Sequence, residues 1–302
     1  MVMIYMGMNR ILFVMWMAGI LLLSSCSVKE DRSGCPCWMT VDLSKVAESR
    51  WKSPERQSST EYQMVTKSLE SRQHIAESVV LRLRGNSDED EVDYAFKMTE
   101  TVNTEVGALE YEVPRGSVGV SVIGMPDRVG HDGIAGNDGD EIRIPVGEQM
   151  DSLYGFFRMF YTRCESVLCD VELHKEFCTV SFTLGDDGYI SPYDLEVWGN
   201  VAGVSPWDLM PLEGDFRFAP SQEDGVYRVR VPRQVDNSLE LVMLEDSEIV
   251  DRLPLGEYIA RSGYDWTAEN LEDVHIALDL ENQQVMITVS GWDGVVVMDI
   301  VI

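Results

Sequence analysis

Beyond residue 37 the chain alternates apolar and polar side chains in short runs, the period of a half-buried strand. Trp38-Met39-Thr40-Val41-Asp42-Leu43 is the first such run. Residues 78–84, 92–102, 109–113 and 118–123 follow, with Gly85-Asn86-Ser87-Asp88 read as a turn. Asp151 to Phe157 reads as the strand that closes a first domain. A second strand-rich series takes in residues 171–184, 194–201, 226–231, 238–244 and 247–249. It continues through 256–260, 274–280, 284–289 and 295–302. Turn residues separate these runs at intervals close to those of a β-sandwich. Val46 to Glu77 is polar and reads as a loop, with one short helix expected near residues 61–71. The pattern predicts an all-β chain of two sandwich domains in tandem, 38–166 and 167–302.

The N-terminus breaks this pattern. Ile11 to Leu23 is an uncharged apolar run preceded by Arg10. It is shorter than the roughly 20 residues that span a bilayer, and it fits the core of a signal peptide. Leu23-Ser24-Ser25-Cys26 follows directly and resembles the lipobox of bacterial lipoproteins. This gives a signal peptide at 1–25, a lipid-bearing Cys26 and a tether at 26–37. Lys29, Glu30 and Asp31 resemble a Lys-acid signal that sends lipoproteins of Bacteroidales to the outer face of the outer membrane.

Charge narrows the partners. Lys plus Arg is 24, Asp plus Glu is 52, and the net charge is −28. Such a surface repels phosphate backbones and anionic headgroups, so no nucleic-acid partner is expected and the membrane hold must be covalent. Acid is spread along the chain and serves solubility.

Candidate chemistry is sparse. With Cys26 taken by lipid, Cys35, Cys37, Cys164, Cys169 and Cys178 remain, an odd number whose pairing the sequence leaves open. Cys164, Cys169, His174 and Cys178, at spacings of four, four and three residues, could be read as a zinc set, but they lack a tight Cys-x2-Cys knuckle. The favoured reading is buried strand residues, with no metal and no cofactor. Residues 130–141, GHDGIAGNDGDE, carry carboxylates without the spacing of a calcium loop. His74, His131, His174 and His275 fall in no metalloprotease motif, and His275 reads as an outward-facing strand residue. No Gly-x-Ser-x-Gly elbow or phosphate loop occurs. Ser49-x-x-Lys52 lacks companion motifs. No catalytic residue is expected. Trp198, Trp207, Trp266 and Trp292 could stack on sugars or fill the core.

Two stretches act together. Glu30-Asp31-Arg32-Ser33-Gly34-Cys35-Pro36 follows the lipobox. Leu253-Pro254-Leu255-Gly256-Glu257-Tyr258-Ile259 is followed by Tyr264-Asp265-Trp266, Leu271-Glu272-Asp273-Val274 and Val289-Ser290-Gly291-Trp292. In this order they resemble the fimbrillin-associated anchor family, the FimB-like proteins of Bacteroidales fimbriae. Cys37 departs from the pattern, where a plain strand residue is expected. The resemblance implies two transthyretin-like β-sandwiches and a non-enzymatic lipoprotein at the base of a fimbria. Its partner would be the shaft subunit, fimbrillin, bound by β-strand complementation, and shaft growth would end at it. An anchor keeps its N-terminal strand, here Trp38 to Leu43, because its lipid lies upstream. The alternatives are a surface glycan-binding lipoprotein, or a shaft or tip subunit of the same family.

Overall fold

The first strand, β1 (Cys37–Asp42), turns Cys37, Met39 and Val41 inward and Trp38 outward, as alternation requires. It ends where the Asp42 carboxylate accepts from the Ser44 amide at 2.9 Å and a five-residue helix, Ser44–Glu48, begins. These are the first elements of a computed structural model that describes residues 37–48, 78–87, 96–126, 141–185, 191–279, 284–289 and 295–299. The polar segment 49–77, the Gly/Asp-rich residues 130–140 and Trp292 lie outside them. All the described residues belong to one compact unit, Pro36–Ile302.

The described residues form four sheets, and the chain is all-β with short helices. The first set holds two of them. One has the order β4-β1-β8, from β4 (Ala108–Val113) and β8 (Ser166–Asp170). The other is β3-β2-β5-β7-β9, from β2 (Ser78–Ser87), β3 (Phe96–Asn103), β5 (Gly116–Gly124), β7 (Tyr154–Tyr161) and β9 (His174–Lys175). β8 crosses the 166/167 division expected from sequence and pairs with β1.

The second set begins at β10 (Phe177–Leu184). It pairs with β14 (Val226–Pro232) on one side and with β17 (Val274–Asp279) on the other. β13 (Ser221–Glu223), β18 (Gln284–Val289) and β19 (Val296–Asp299) complete a six-stranded sheet, β13-β14-β10-β17-β18-β19. The facing sheet is β12-β11-β15-β16, from β11 (Asp194–Val204), β12 (Pro211–Phe218), β15 (Glu240–Glu245) and β16 (Glu248–Leu253). A two-residue strand from the earlier part of the chain, β6 (Ile142–Arg143), joins β11. Buried apolar residues of both sets form one contiguous cluster.

Three local readings need correction. Gly256 to Ala260 is helical, within Leu255–Arg261, not a strand. Leu255, Tyr258 and Ile259 bury one helical face, a 3–4 spacing that the short apolar run disguised. The expected turn at 85–88 is strand as far as Ser87, with Gly85 opposite Val118. A Cβ at Gly85 would lie 3.0 Å from the Val118 side chain, so this glycine permits close approach and does not mark a turn. Pro211–Phe218, where no strand was expected, pairs with β11 at a sheet edge. There a proline at the first position and a central glycine are tolerated.

Candidate functional site

The site with the clearest geometry is the seat of β1. This strand is interior to its sheet. It runs antiparallel to β4, with Cys37 opposite Val113 and Asp42 opposite Ala108. It runs parallel to β8, with Trp38 beside Ser166 and Asp42 beside Asp170. Backbone bonds extend the pairing beyond both ends: Trp38 N donates to Glu165 O at 2.9 Å, Leu43 N to Gly107 O at 2.8 Å and Val171 N to Asp42 O at 3.0 Å. Cys37, Met39, Val41 and Leu43 are fully buried. On the outer face Trp38 and Leu168 are 50% and 61% exposed. Removing β1 would leave a slot with two unpaired strand edges and an apolar floor. Sequence reading found β1 but missed β8, its parallel partner. The signal was present in Ser166-Val167-Leu168-Cys169-Asp170, where only Cys169 is buried.

The residues expected to carry the lipid and its address all precede this strand and lie outside the described residues. They are Leu23, Ser24, Ser25 and Cys26, then Lys29, Glu30 and Asp31.

The zinc reading of Cys164, Cys169, His174 and Cys178 separates in space. Cys164 is exposed before β8, Cys169 is buried in β8, and Cys178 is buried in β10 of the second set. His174 Nε2 lies 3.2 Å from Glu269 Oε1. Among the described residues no cluster of three or more His, Cys, Asp or Glu is poised to hold a metal ion. Burial pushes the Cys169 and Cys178 thiols up to about 12. A thiol held protonated at neutral pH is a weak nucleophile.

His275 alternates onto the face of β17 opposite buried Val274 and Ile276, as the sequence pattern predicts, and is half-buried there beside β10. Its Nδ1 lies 3.1 Å from Ser181 Oγ on β10. A nucleophile–base pair would need an accessible hydroxyl and an acidic orienting group. Ser181 is buried and bonds the Val274 carbonyl, and the charge acting on His275 is Arg228. Burial first and Arg228 second hold this imidazole below its ordinary range.

Of the tryptophans read as sugar-stacking or core residues, Trp198, Trp207 and Trp266 are described, and each packs against neighbouring side chains. Trp207 lies in the loop between β11 and β12, at 5.8 Å from Arg82, Arg84 and Lys97 of the first set, measured to its ring centroid. Asp208 pairs with Arg84 at 3.3 Å, and Ser121 Oγ donates to Pro206 O at 2.7 Å. Leu209 packs so close to Gly155 that a Cβ there would lie 2.6 Å from it. The loop is therefore a wedge of the second set seated on the first. Trp266 is buried edge-on against Tyr264 at 4.8 Å. Trp198 lines a cleft of ≈680 Å³ with Tyr193, Arg217 and Tyr227. Arg217 and Arg252 lie 4.2 Å and 5.0 Å from its ring centroid, and its indole N–H donates to Glu196 at 2.5 Å. Those guanidinium groups occupy ring surface that a sugar would need.

The motifs of the C-terminal third meet at the junction of the two sets. Lys175 pairs with Asp273, whose carboxylate also accepts from Thr179 N at 2.7 Å. Arg233 bridges Glu176 at 3.0 Å and donates to the carbonyls of Trp266 and Ala268. Burial still pushes the Glu176 carboxyl above its ordinary range. At Gly256 a Cβ would lie 2.4 Å from the Asn237 carbonyl oxygen, which explains glycine in Leu-Gly-x-Tyr.

No protein family and no curated protein matches the chain by sequence. Solved structures do match in fold. The fimbrial anchor protein Mfa2 from Porphyromonas gingivalis superposes with a TM-score of 0.51 at 9% identity, over 88% of this chain and 100% of that one. A candidate adhesin from Bacteroides ovatus gives 0.50 at 14% identity, over 89% and 97%. A candidate polysaccharide-binding protein from Bacteroides thetaiotaomicron gives 0.50 at 13% identity, over 87% and 98%. The chain thus shares the all-β fold of a fimbrial anchor and of Bacteroides adhesin candidates, the fold class that its sequence resemblance implied.

Proposed function

We propose that the protein is a non-enzymatic fimbrial anchor. It is held on the outer face of the outer membrane by lipid on Cys26 and binds a fimbrial shaft subunit by strand complementation. The observation that carries this reading is the position of β1. It is an interior strand with a fully buried inner face, and it starts eleven residues after Cys26. Pulling on the lipid pulls on a strand that its own sheet holds on both sides. A subunit that passed a strand to its neighbour would have to vacate such a place; an anchor fills it with its own chain. The fold likeness to an anchor protein supports the same reading, as does the sequence order of lipobox, Glu-Asp-x-Ser-x-Cys-Pro and Leu-Gly-x-Tyr.

Anchor and shaft subunit differ in processing. Arg50, Arg56 and Arg72 lie between β1 and β2, so a cut at any of them would break the peptide connection between β1, with its lipid, and the rest of the chain. N-terminal sequencing of the surface form is expected to start at a lipidated Cys26, with Cys26→Ala lost from membranes. A mature terminus after one of those arginines, with the protein repeated along the filament, would identify a shaft subunit. The glycan-binding alternative loses its best aromatics, since Trp207 is a wedge and Trp198 lies against two arginines.

A further inference from the structure

The seat of β1 contains a second feature, at its entrance. The first residue of the strand is Cys37, fully buried. Cys164 stands just ahead of β8, the strand parallel to β1, and is exposed. The backbone bond from Trp38 N to Glu165 O, at 2.9 Å, brings these two chain segments side by side. Cys164 Sγ donates to Ser166 O at 3.1 Å and Cys37 Sγ to Trp38 O at 3.8 Å, and Trp38 and Ser166 are register partners in the β1–β8 ladder. They also lie in hydrogen-bonding contact with each other.

We propose that Cys37 and Cys164 form a disulfide that staples the N-terminal strand to β8. Contact of the two sulfurs is the geometric condition for the bond, and an exported chain meets oxidants that a cytoplasmic one does not. The oxidant is a disulfide: that of an exported thiol oxidoreductase or, in vitro, oxidised glutathione. Exposed Cys164 attacks one of its sulfurs as thiolate, forming a mixed disulfide and expelling one thiol. Cys37 then attacks the Cys164 sulfur and expels the second thiol. Two protons and two electrons leave the protein, and one disulfide of the oxidant becomes two thiols. Burial and the neighbouring Cys164 hold the Cys37 thiol above its ordinary range, with Arg115 opposing them. Cys37 is thus the resolving partner and Cys164 the entering one. Its role in retention rests on the anchor reading; the bond itself does not.

The consequence is a covalent path from the tether into the sheet. After a cut anywhere in 49–77, β1 and everything upstream of it would remain bonded to the rest of the chain.

The test uses the full mature chain, first reduced, then equilibrated with oxidised and reduced glutathione, so its outcome does not depend on export. Limited trypsin digestion within 49–77 is followed by gels with and without reductant and by peptide mass spectrometry. The expected result is an N-terminal fragment that separates only on reduction, joined to the peptide containing Cys164. Reduction should also lower the melting temperature by about 5–10 °C, an effect absent in Cys164→Ser. Cys164 is exposed, so that variant keeps the fold. Cys35→Ser should retain the link and Cys37→Ala should lose it. The proposal is overturned if the fragment separates without reductant. It is equally overturned if the link survives Cys37→Ala and disappears in Cys35→Ser, which would assign the bond to Cys35. Loss of β1 from native cells despite an intact link in vitro would count against the anchor reading alone.

Discussion

The first and last described strands of the chain are held in opposite ways. β1 has a neighbour on each side and a fully buried inner face. Among the described residues β19 pairs only with β18, at the rim of a six-stranded sheet, and its Val297 is more than half exposed. A terminal strand at a rim can be lost with one ladder. A terminal strand in the middle takes two ladders and part of a core with it. The first and last described strands are therefore not interchangeable as strands to give away: β1 is the costly one.

The largest test of this contrast is truncation. A chain starting after Leu43 loses the buried side chains of Cys37, Met39, Val41 and Leu43. At about 1.5–3 kcal/mol per buried apolar side chain, the loss is comparable with a domain's whole stability of about 5–15 kcal/mol. Thermal unfolding should then lose its cooperative transition, and an added dye should report exposed apolar surface. A chain ending at Val289 should still melt cooperatively, weakened by about 1–3 kcal/mol. Similar losses from both truncations would break the comparison.

Next in size is Trp207→Ala, which removes the wedge between the sets. A fully buried tryptophan costs about 3–5 kcal/mol, and this half-buried ring should cost about 2–3 kcal/mol in urea unfolding. Calorimetry should also resolve two transitions where the wild type gives one. An unchanged single transition would mean that the shared core couples the sets without the wedge.

Gly256→Ala acts on the second set alone. Its Cβ meets the Asn237 carbonyl, so the helix must shift, at about 1–3 kcal/mol. Hydrogen exchange should quicken around residues 237–261 and stay unchanged in β1. Faster exchange in β1 would show that the two regions are less separable than the contrast supposes.

The smallest expected effect is a pH slope. His275 titrates below its ordinary value in the folded chain, so the unfolded chain takes up its proton first as pH falls. Its neutral form stabilises the fold fully above the unfolded value of about 6.5, and that contribution declines as the medium is acidified below it. His275→Gln should flatten this part of the melting-temperature profile, and an unchanged slope would remove His275 as its source.

The elements that could be read from sequence are those with unbroken alternation. Trp38 to Asp42 and Val274 to Leu278 each show one period and one buried face. Reading failed where the side chain obeys something beyond its own strand. Gly256 looks like the start of a strand because the Asn237 carbonyl that forbids any other residue is 19 positions away. Trp207 looks like a free aromatic because the arginines beneath it come from residues 82 and 84. The half-burial of outward-facing His275 comes from Ser181 on the neighbouring β10, which a single strand does not reveal. The position of β1 between two strands was equally hidden, since β8 is paired across more than 120 residues.

The parallel and antiparallel neighbours of β1 also determine how it resists a pull. Its hydrogen bonds run across the strand axis, perpendicular to β4 and slanted to β8. Under the proposed tether, force enters at the first residue and acts along that axis. The two ladders are then loaded in shear, all at once, and cannot be unzipped one bond at a time. Such a strand should resist through its rupture force more than through its equilibrium stability. Pulling single molecules from the N-terminus should give one abrupt high-force event, and a low sawtooth of successive releases would contradict it.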